Sequence, residues 1–171
     1  MLRRLMTWAG VVAIAFVGSA ASANTITIGA SRDATIFQNN VDNSNGAGPG
    51  MFSGTNGAGS PRRGLIDFDI AGNVPAGSTI TSVQLTLFLA QVAGGGGGSA
   101  DTTPRTIELH LLTSNWGEGT TGMGLPLAGS GQGFPANAGD ATWNARMFPS
   151  TLWGTAGGDF NASASASTLV G

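Results

Sequence analysis

Two aspartates one residue apart are the first side chains in this sequence with the spacing of a chemical pair. Asp67 and Asp69 stand in the apolar run GLIDFDI, residues 64–70. In an extended strand they would share one face at about 7 Å, a separation at which two carboxylates can hydrolyse a glycosidic bond. Both would approach such a bond from the same side, however, so the pattern favours architecture over catalysis. We expect Asp69 to bind backbone amides of the corner at residues 71–77 and Asp67 to lie near an arginine such as Arg63.

The same alternation assigns a core side to this strand. Ile66, Phe68 and Ile70 point away from both aspartates in an extended chain. We therefore expect these three side chains to pack in the core.

The only histidine does not complete a catalytic set. His110 stands near Glu108 on the polar face of a predicted strand. A Ser–His–Asp triad also needs a nucleophile, and the chain has no Gly-x-Ser-x-Gly elbow to present one. One histidine without cysteine falls short of the usual zinc ligand set. We predict no catalytic residue, with a polysaccharide-cleaving enzyme that uses Asp67 or Asp69 with Glu118 as the alternative.

Oxygen-bearing side chains gather in and beside the Asn- and Gly-rich loop at residues 39–50. Hard cations such as calcium take oxygen ligands from loops of this kind, although the spacing lacks the terminal glutamate of an EF-hand. A turn-rich polar loop explains the same composition and is the favoured interpretation. Calcium is the candidate cofactor. Its candidate ligands are Asp33, Asp42, Asn43 and Asn45.

Three tryptophans beyond the N-terminal segment can either fill a core or stack on sugar rings. Burial is expected for Trp116 and Trp143, because a small domain needs large anchors. Trp153 lies in a Gly-rich region, and its role is open. The candidate ligand-binding residues are Trp153, Arg146 and Trp116.

The N-terminus has the pattern of a secretory signal. Arg3 and Arg4 precede an apolar run at residues 8–17, which small residues follow. The run is too short for a membrane span, which needs about 20 apolar residues. We expect a signal peptide over residues 1–23 and a single domain over residues 24–171. The mature protein is then secreted, extracellular or at the cell surface, without membrane insertion.

Charge and composition limit the partners of this domain. The chain has a net charge of −2, with nine acidic residues, seven arginines and no lysine. Scattered arginines form no basic patch, so capture of nucleic acid is not expected. Disulfides are excluded because there is no cysteine. Twenty-nine glycines and few charges favour short strands and turns over helices.

Alternation of apolar and polar residues predicts several β-strands. Short strands are expected at residues 25–28, 34–37 and 51–53, and the most regular pattern covers residues 79–92. Such alternation is typical of a strand with one face on a core. Its predicted partner is a strand at residues 105–113. The alternating apolar residues are Val83, Leu85, Leu87 and Leu89 in the first strand and Ile107, Leu109 and Leu111 in the second.

Glycine-rich segments separate these strands. Five glycines at residues 94–98 cannot pack, which indicates a mobile connection. Residues 117–139 form a long Gly-rich loop, and loops of that length are usually functional or disordered. No helical period is found beyond the signal, so we predict an all-β fold with antiparallel sheets.

One block of sequence resembles a known family. RRGLIDFDI at 62–70 and VPAGSTITSVQLTLF at 74–88 are similar to the signature of the DNRLRE domain, a disaggregatase-related family of secreted proteins that resembles carbohydrate-binding modules. DATI at 33–36 resembles the opening strand of that family. TSNWGE at 113–118 and TWN at 142–144 resemble its later landmarks.

The resemblance implies an antiparallel, jelly-roll-like β-sandwich without catalytic activity. It further implies a polysaccharide or cell-envelope component as partner, since some relatives bind acidic polysaccharides such as alginate. A purely structural or adhesive surface module without a glycan ligand is the alternative. The family scaffold includes the Phe-Asp pair and the Pro-x-Gly corner. The residues with an implied structural role are Phe68, Asp67, Asp69, Pro75, Gly77 and Trp143.

Two features depart from the family pattern. The insert at residues 117–139 separates landmarks that usually lie close together. The family also continues after its Trp-Asn landmark through strands that close the sandwich, whereas this chain ends at Gly171. We therefore expect a sandwich that is incomplete at the C-terminus. The absence of lysine makes an anionic glycan a poorer ligand.

Overall fold

The computed structural model describes residues 24–92, 102–126 and 130–171 of the chain. The predicted signal peptide and the run of five glycines lie outside the described residues.

The regular elements are short strands joined by turns. Helical structure among the described residues is limited to α1, Ile70–Asn73, and a 3-10 turn, Ser130–Gln132. The strands are β1 Arg32–Phe37, β2 Asn43–Asn45, β3 Gly54–Thr55, β4 Pro61–Asp67, β5 Arg105–Leu109, β6 Phe134–Pro135, β7 Ala145–Met147, β8 Thr151–Leu152 and β9 Ala166–Val170.

The larger sheet has five antiparallel strands in the order β3-β4-β1-β2-β6. β1 lies at its centre and pairs with β4 over its whole length, from Arg32 opposite Asp67 to Phe37 opposite Arg62. The run Thr35-Ile36-Phe37 favours an extended chain, because branched and aromatic side chains fit a pleated surface. The strand predicted at residues 34–37 is thereby confirmed.

The core lies against one face of β1 and β4. Ala34 and Leu65 are opposite each other across the two strands and share that face with Ile36. Three indole rings and Ala141 pack on them. The buried members of this cluster are Ala34, Ile36, Leu65, Trp116, Ala141, Trp143 and Trp153.

The core side that alternation assigned to β4 is wrong. Leu65 is 4% exposed, whereas Ile66 and Phe68 are half-buried and Ile70 is 47% exposed in α1. The opposite face of β1 is also covered, since Phe37 is fully buried there. Apolar residues therefore occupy both sides of β1 and β4, and alternation alone could not decide which side holds the main cluster.

The second sheet is a pair, β5 and β9, in register from Arg105 opposite Val170 to Leu109 opposite Ala166. A bridge between Leu112 and Phe160 extends the contact beyond the strands. The hairpin predicted between residues 79–92 and 105–113 is not present, because residues 79–92 contain no strand and β9 pairs with β5 instead. Periodicity identifies a face that can be buried, but it does not identify the strand that buries it.

Two other predicted strands are also wrong. Residues 25–28 and 51–53 are not extended elements, and the short β3 follows the second of these segments. The Gly-rich loop at residues 117–139 contains β6 and the 3-10 turn. The all-β class is confirmed by antiparallel pairing of every named strand. The sandwich arrangement stays a prediction.

The described part of the chain holds no helix with the length and apolar character needed to cross a membrane.

Candidate functional site

Asp67 is engaged by an arginine of the neighbouring strand. The carboxylate atom Oδ2 accepts hydrogen bonds from Arg32 Nε at 2.9 Å and Nη2 at 2.7 Å. Its Oδ1 accepts the backbone N–H of Phe68 at 3.0 Å. The expected arginine partner is therefore Arg32, which cross-strand register places opposite Asp67, and not Arg63.

Asp69 caps the short helix at the corner. A side-chain oxygen accepts the N–H of Gly72 at 2.8 Å, and its carbonyl accepts Asn73 Nδ2 at 2.7 Å. This is the common geometry of an N-cap aspartate. The turn that follows has Ser78 N donating to Pro75 O at 3.1 Å and Gly77 at φ +83°, as in a type II turn.

Arg63 lies between two aromatic rings and does not reach the aspartates. Its guanidinium carbon is 5.0 Å from the centre of the Trp143 ring and 4.8 Å from that of Phe160. Its Nη1 donates to Gly157 O at 2.6 Å. Partial burial lowers the pKa of Arg63. These contacts fasten the loop around Gly157 to the core, which is a structural role for Arg63 and Trp143.

Neither candidate tryptophan offers a stacking surface. Trp116 is 3% exposed and Trp153 is 6% exposed. The indole N–H of Trp153 donates to Thr142 O at 2.9 Å, and the Trp116 ring lies 4.8 Å from the guanidinium of Arg32. Both rings are packed in the core, so neither ring face is accessible to a sugar.

The four candidate calcium ligands do not converge. Asp42 is exposed before the start of β2, whereas Asp33 lies beyond the opposite end of that strand. Asn43 Nδ2 donates to Gln132 O at 3.0 Å, and Asn45 Nδ2 donates to Gly50 O at 2.8 Å. Within the described ranges, no three acidic, histidine or cysteine side chains are grouped to hold a metal ion. The structure therefore does not bring the four predicted ligands together, and calcium binding stays a prediction.

Asp33 instead has a second carboxylate as neighbour. Glu118 Oε1 accepts the backbone N–H of Asp33 at 3.0 Å, at the edge of β1 beyond the last paired residue of β2. Partial burial and, secondarily, the charge of Glu118 raise the pKa of Asp33. The Glu118 backbone also passes close to Gly46, where a Cβ would lie 1.8 Å from the carbonyl oxygen of Glu118. Glu118 is thus part of the scaffold on β1.

A buried carboxylate that the sequence analysis did not single out organises the Gly-rich loop. Asp140 is fully buried and accepts the N–H groups of Thr120 at 2.9 Å and Asn137 at 2.7 Å, together with the hydroxyl of Thr121. A buried carboxylate requires such donors to offset its lost hydration. Its partners near residue 120 are distant in sequence, so no local pattern could have revealed this role.

His110 is held in the second sheet by three contacts. Nε2 lies 3.2 Å from Glu108 Oε2, Nδ1 lies 2.8 Å from Asn161 O, and the ring meets the Phe160 ring edge-on at 5.2 Å. No serine takes part in this arrangement. The histidine therefore contributes to packing of the β5 region.

A cleft of about 940 Å³ lies between β4 and the segment that follows β5. Arg32, Asp67 and Asn115 line this cleft. Together with Arg146, which is bonded to Asn115 but is not among the lining residues, they form a polar cluster that we call the arginine rim. Arg32 Nη2 donates to Asn115 Oδ1 at 2.9 Å, and Arg146 Nη1 donates to Asn115 O at 3.1 Å. Arg146 is the one candidate ligand residue at an accessible site.

The rim has the donors and acceptors of a polar binding surface. Arg32 and Asp67 are 30% and 44% exposed in their side chains, so the ion pair is accessible to solvent. Two guanidinium groups, one carboxylate and one amide present fixed donors and acceptors close together. The arrangement can bind a polar ligand.

Searches of protein-family models, of curated proteins and of solved structures returned no match to this chain. Membership of the DNRLRE family stays a prediction.

Proposed function

We propose that the chain is a secreted, non-catalytic β-module of the cell surface or extracellular matrix that binds a polysaccharide. The observation that carries the proposal is the arginine rim. Sugar hydroxyls both donate and accept hydrogen bonds, and side chains fixed by their neighbours lose little entropy when they bind. Arg32 and Arg146 are fixed by Asn115, and Arg32 also by Asp67.

A non-catalytic role is supported by the positions of the carboxylates. Asp67 forms an ion pair with Arg32, Asp69 caps α1, and Glu118 accepts a hydrogen bond from the backbone amide of Asp33. Glycoside hydrolysis needs two carboxylates that face the bond from opposite sides. Each of these three groups has a scaffold partner instead, which favours a binding module over the hydrolase alternative.

The expected ligand is a neutral or weakly acidic polysaccharide. Two arginines against one aspartate give the rim a small positive charge, which suits an occasional carboxylate of a uronic acid. The whole chain has a net charge of −2 and no lysine, so a densely anionic polymer would be repelled by most of the surface.

The proposal is tested by titrating purified protein with a panel of neutral and uronate-containing polysaccharides. We expect saturable binding by at least one polysaccharide, and about tenfold weaker binding for Arg146→Ala, as loss of one charge-assisted hydrogen bond predicts. Arg105→Ala is the matched control, because it removes an arginine outside the rim and should leave affinity unchanged. Absence of saturable binding across the panel would contradict the proposal.

A structural or adhesive module is the second candidate function. It is favoured by the exposed residues 79–91, whose uncharged, strand-like sequence is suited to contact with other surfaces. Retention of the protein in a washed envelope or matrix fraction, unaffected by Arg146→Ala, would support this function over glycan binding.

A further inference from the structure

The segment at residues 79–92, here called the strap, has an alternating sequence and pairs with no strand among the described residues. Its side chains are exposed up to residue 91, with Val83 at 85% and Phe88 at 92%. The strap contains no charged residue and no proline. Charges and prolines are the features by which proteins keep exposed strands from pairing. An exposed segment of this composition therefore has a strong tendency to form a strand against an available edge.

An available edge lies close to the strap. β9 occupies one side of β5, and no strand of the described residues lies along the other side. Bonds from Ser165 N to Leu109 O and from Asn161 N to Leu111 O continue the occupied side beyond the end of β5. The backbone on the opposite side, at Glu108 and His110, faces away from β9 and has no strand beside it in the described part of the chain.

The interior of the cleft matches the apolar face of the strap. Val83 and Leu85 already belong to the cleft wall, whereas Leu87 and Leu89 of the same face remain more than half exposed. The exposed surface of the cleft wall is mainly apolar, although Arg63, Glu108 and His110 also line it outside the rim. Its apolar side chains outside the strap are Leu65, Ile66, Phe68, Leu109, Leu111, Leu112, Trp116 and Phe160.

We propose that the strap closes over the cleft in the same molecule and pairs with the free side of β5 as a third strand of that sheet. In the closed state Val83, Leu85, Leu87 and Leu89 fill the cleft interior, and the opposite face, including Thr86, remains in solvent. The arginine rim stays accessible to solvent beside the closed cleft. The structure described above is the open state.

We expect the strap to enter the cleft of its own molecule and not that of a second copy. The Asp69 cap and the turn at Pro75–Ser78 anchor one end of the strap next to β4, which forms the cleft wall. A segment tethered in this way has an effective concentration in the millimolar range, well above the working concentration of a separate copy. Closure within the chain should therefore occur in dilute solution.

Single introduced thiols test the proposal without background, because the chain has no cysteine. Leu87→Cys places a thiol on the face that enters the cleft, and Thr86→Cys is the matched control on the other face. We expect the Leu87→Cys thiol to react with a maleimide at least about tenfold more slowly than the control, as a closing equilibrium requires. In denaturant the two thiols should react equally fast. Equal rates in native buffer would overturn the proposal.

A dilution series distinguishes the strap of the same chain from that of another copy. Slow labelling of Leu87→Cys should persist unchanged from high to low protein concentration, in a protein that light scattering shows to be monomeric. Protection that disappears on dilution would assign the cleft to a second copy and overturn closure within the chain. No sugar is present in either measurement, so the outcome is independent of the glycan titration.

Discussion

The larger sheet and the β5–β9 pair use similar residues but differ in what covers them. In the larger sheet, Leu65 packs under three tryptophans and is 4% exposed. In the pair, Leu169 of β9 is 67% exposed although it also stands in a paired strand. The difference shows that a segment can form a strand without its side chains being buried. Backbone pairing can form a strand, but only a second layer of side chains turns it into a core.

Two matched substitutions give the largest expected contrast between these regions. Leu65→Ala should destabilise the protein by about 2–5 kcal/mol, because it leaves a cavity in the tryptophan cluster. Leu169→Ala removes the same atoms from an exposed site and should change stability by less than about 0.5 kcal/mol. Urea unfolding monitored by tryptophan fluorescence measures both. Comparable losses for the two variants would show that the β5–β9 pair is covered by something in solution.

An intermediate effect is expected in the Gly-rich loop. Asp140→Ala leaves the amides of Thr120 and Asn137 without their acceptor in a buried site, which should cost about 1–3 kcal/mol or more. Asp42→Ala removes an exposed carboxylate and serves as control. Equal unfolding midpoints for Asp140→Ala and the unsubstituted protein would show that the loop is not held by this carboxylate.

The smallest expected effects are pH-dependent and have opposite signs in two places. Hydrogen bonds from Gly154, Thr155 and Ser114 hold the pKa of Asp159 below its ordinary value of 3.8. The stability that Asp159 contributes is thus present above that value and is lost as pH falls through the lowered pKa. Burial raises the pKa of Asp33 above 3.8. The ionised Asp33 carboxylate therefore destabilises the fold, and this effect is absent in acid and develops as pH rises through the raised pKa.

Asparagine substitutions separate these two contributions. Relative to the unsubstituted protein, Asp159→Asn should lower the urea midpoint at neutral pH, with a difference that shrinks toward acid. Asp33→Asn should raise the neutral midpoint, and its difference should also shrink toward acid. Midpoints are measured in steps from about pH 7 down through the ordinary carboxyl pKa near 4 and below it. Parallel curves for all three proteins would contradict both assignments.

Features that depend on neighbours in sequence could be predicted from sequence. Asp69 binds an amide three residues away, and the Pro75–Ser78 turn needs only a glycine that tolerates positive φ. The sequence predicts an arginine partner for Asp67 but does not identify it as Arg32, because Arg32 lies 35 residues away and is placed opposite Asp67 by cross-strand pairing. The four candidate calcium ligands do not converge for a related reason: Asp33 and Asp42 are near in sequence, but β1 and the turn after it separate them.

Sequence by itself determined the class of the fold, since alternating apolar residues, abundant glycine and the absence of a helical period favour short antiparallel strands. It also excluded disulfides and cysteine-based nucleophiles and metal ligands, because the chain has no cysteine. Only the tertiary structure decided which face of β4 is buried, that β9 pairs with β5, and that Arg32, Asn115 and Arg146 meet at one rim. The physical reason is that alternation has the same period on both faces of a strand, whereas burial depends on long-range contacts that no local pattern encodes.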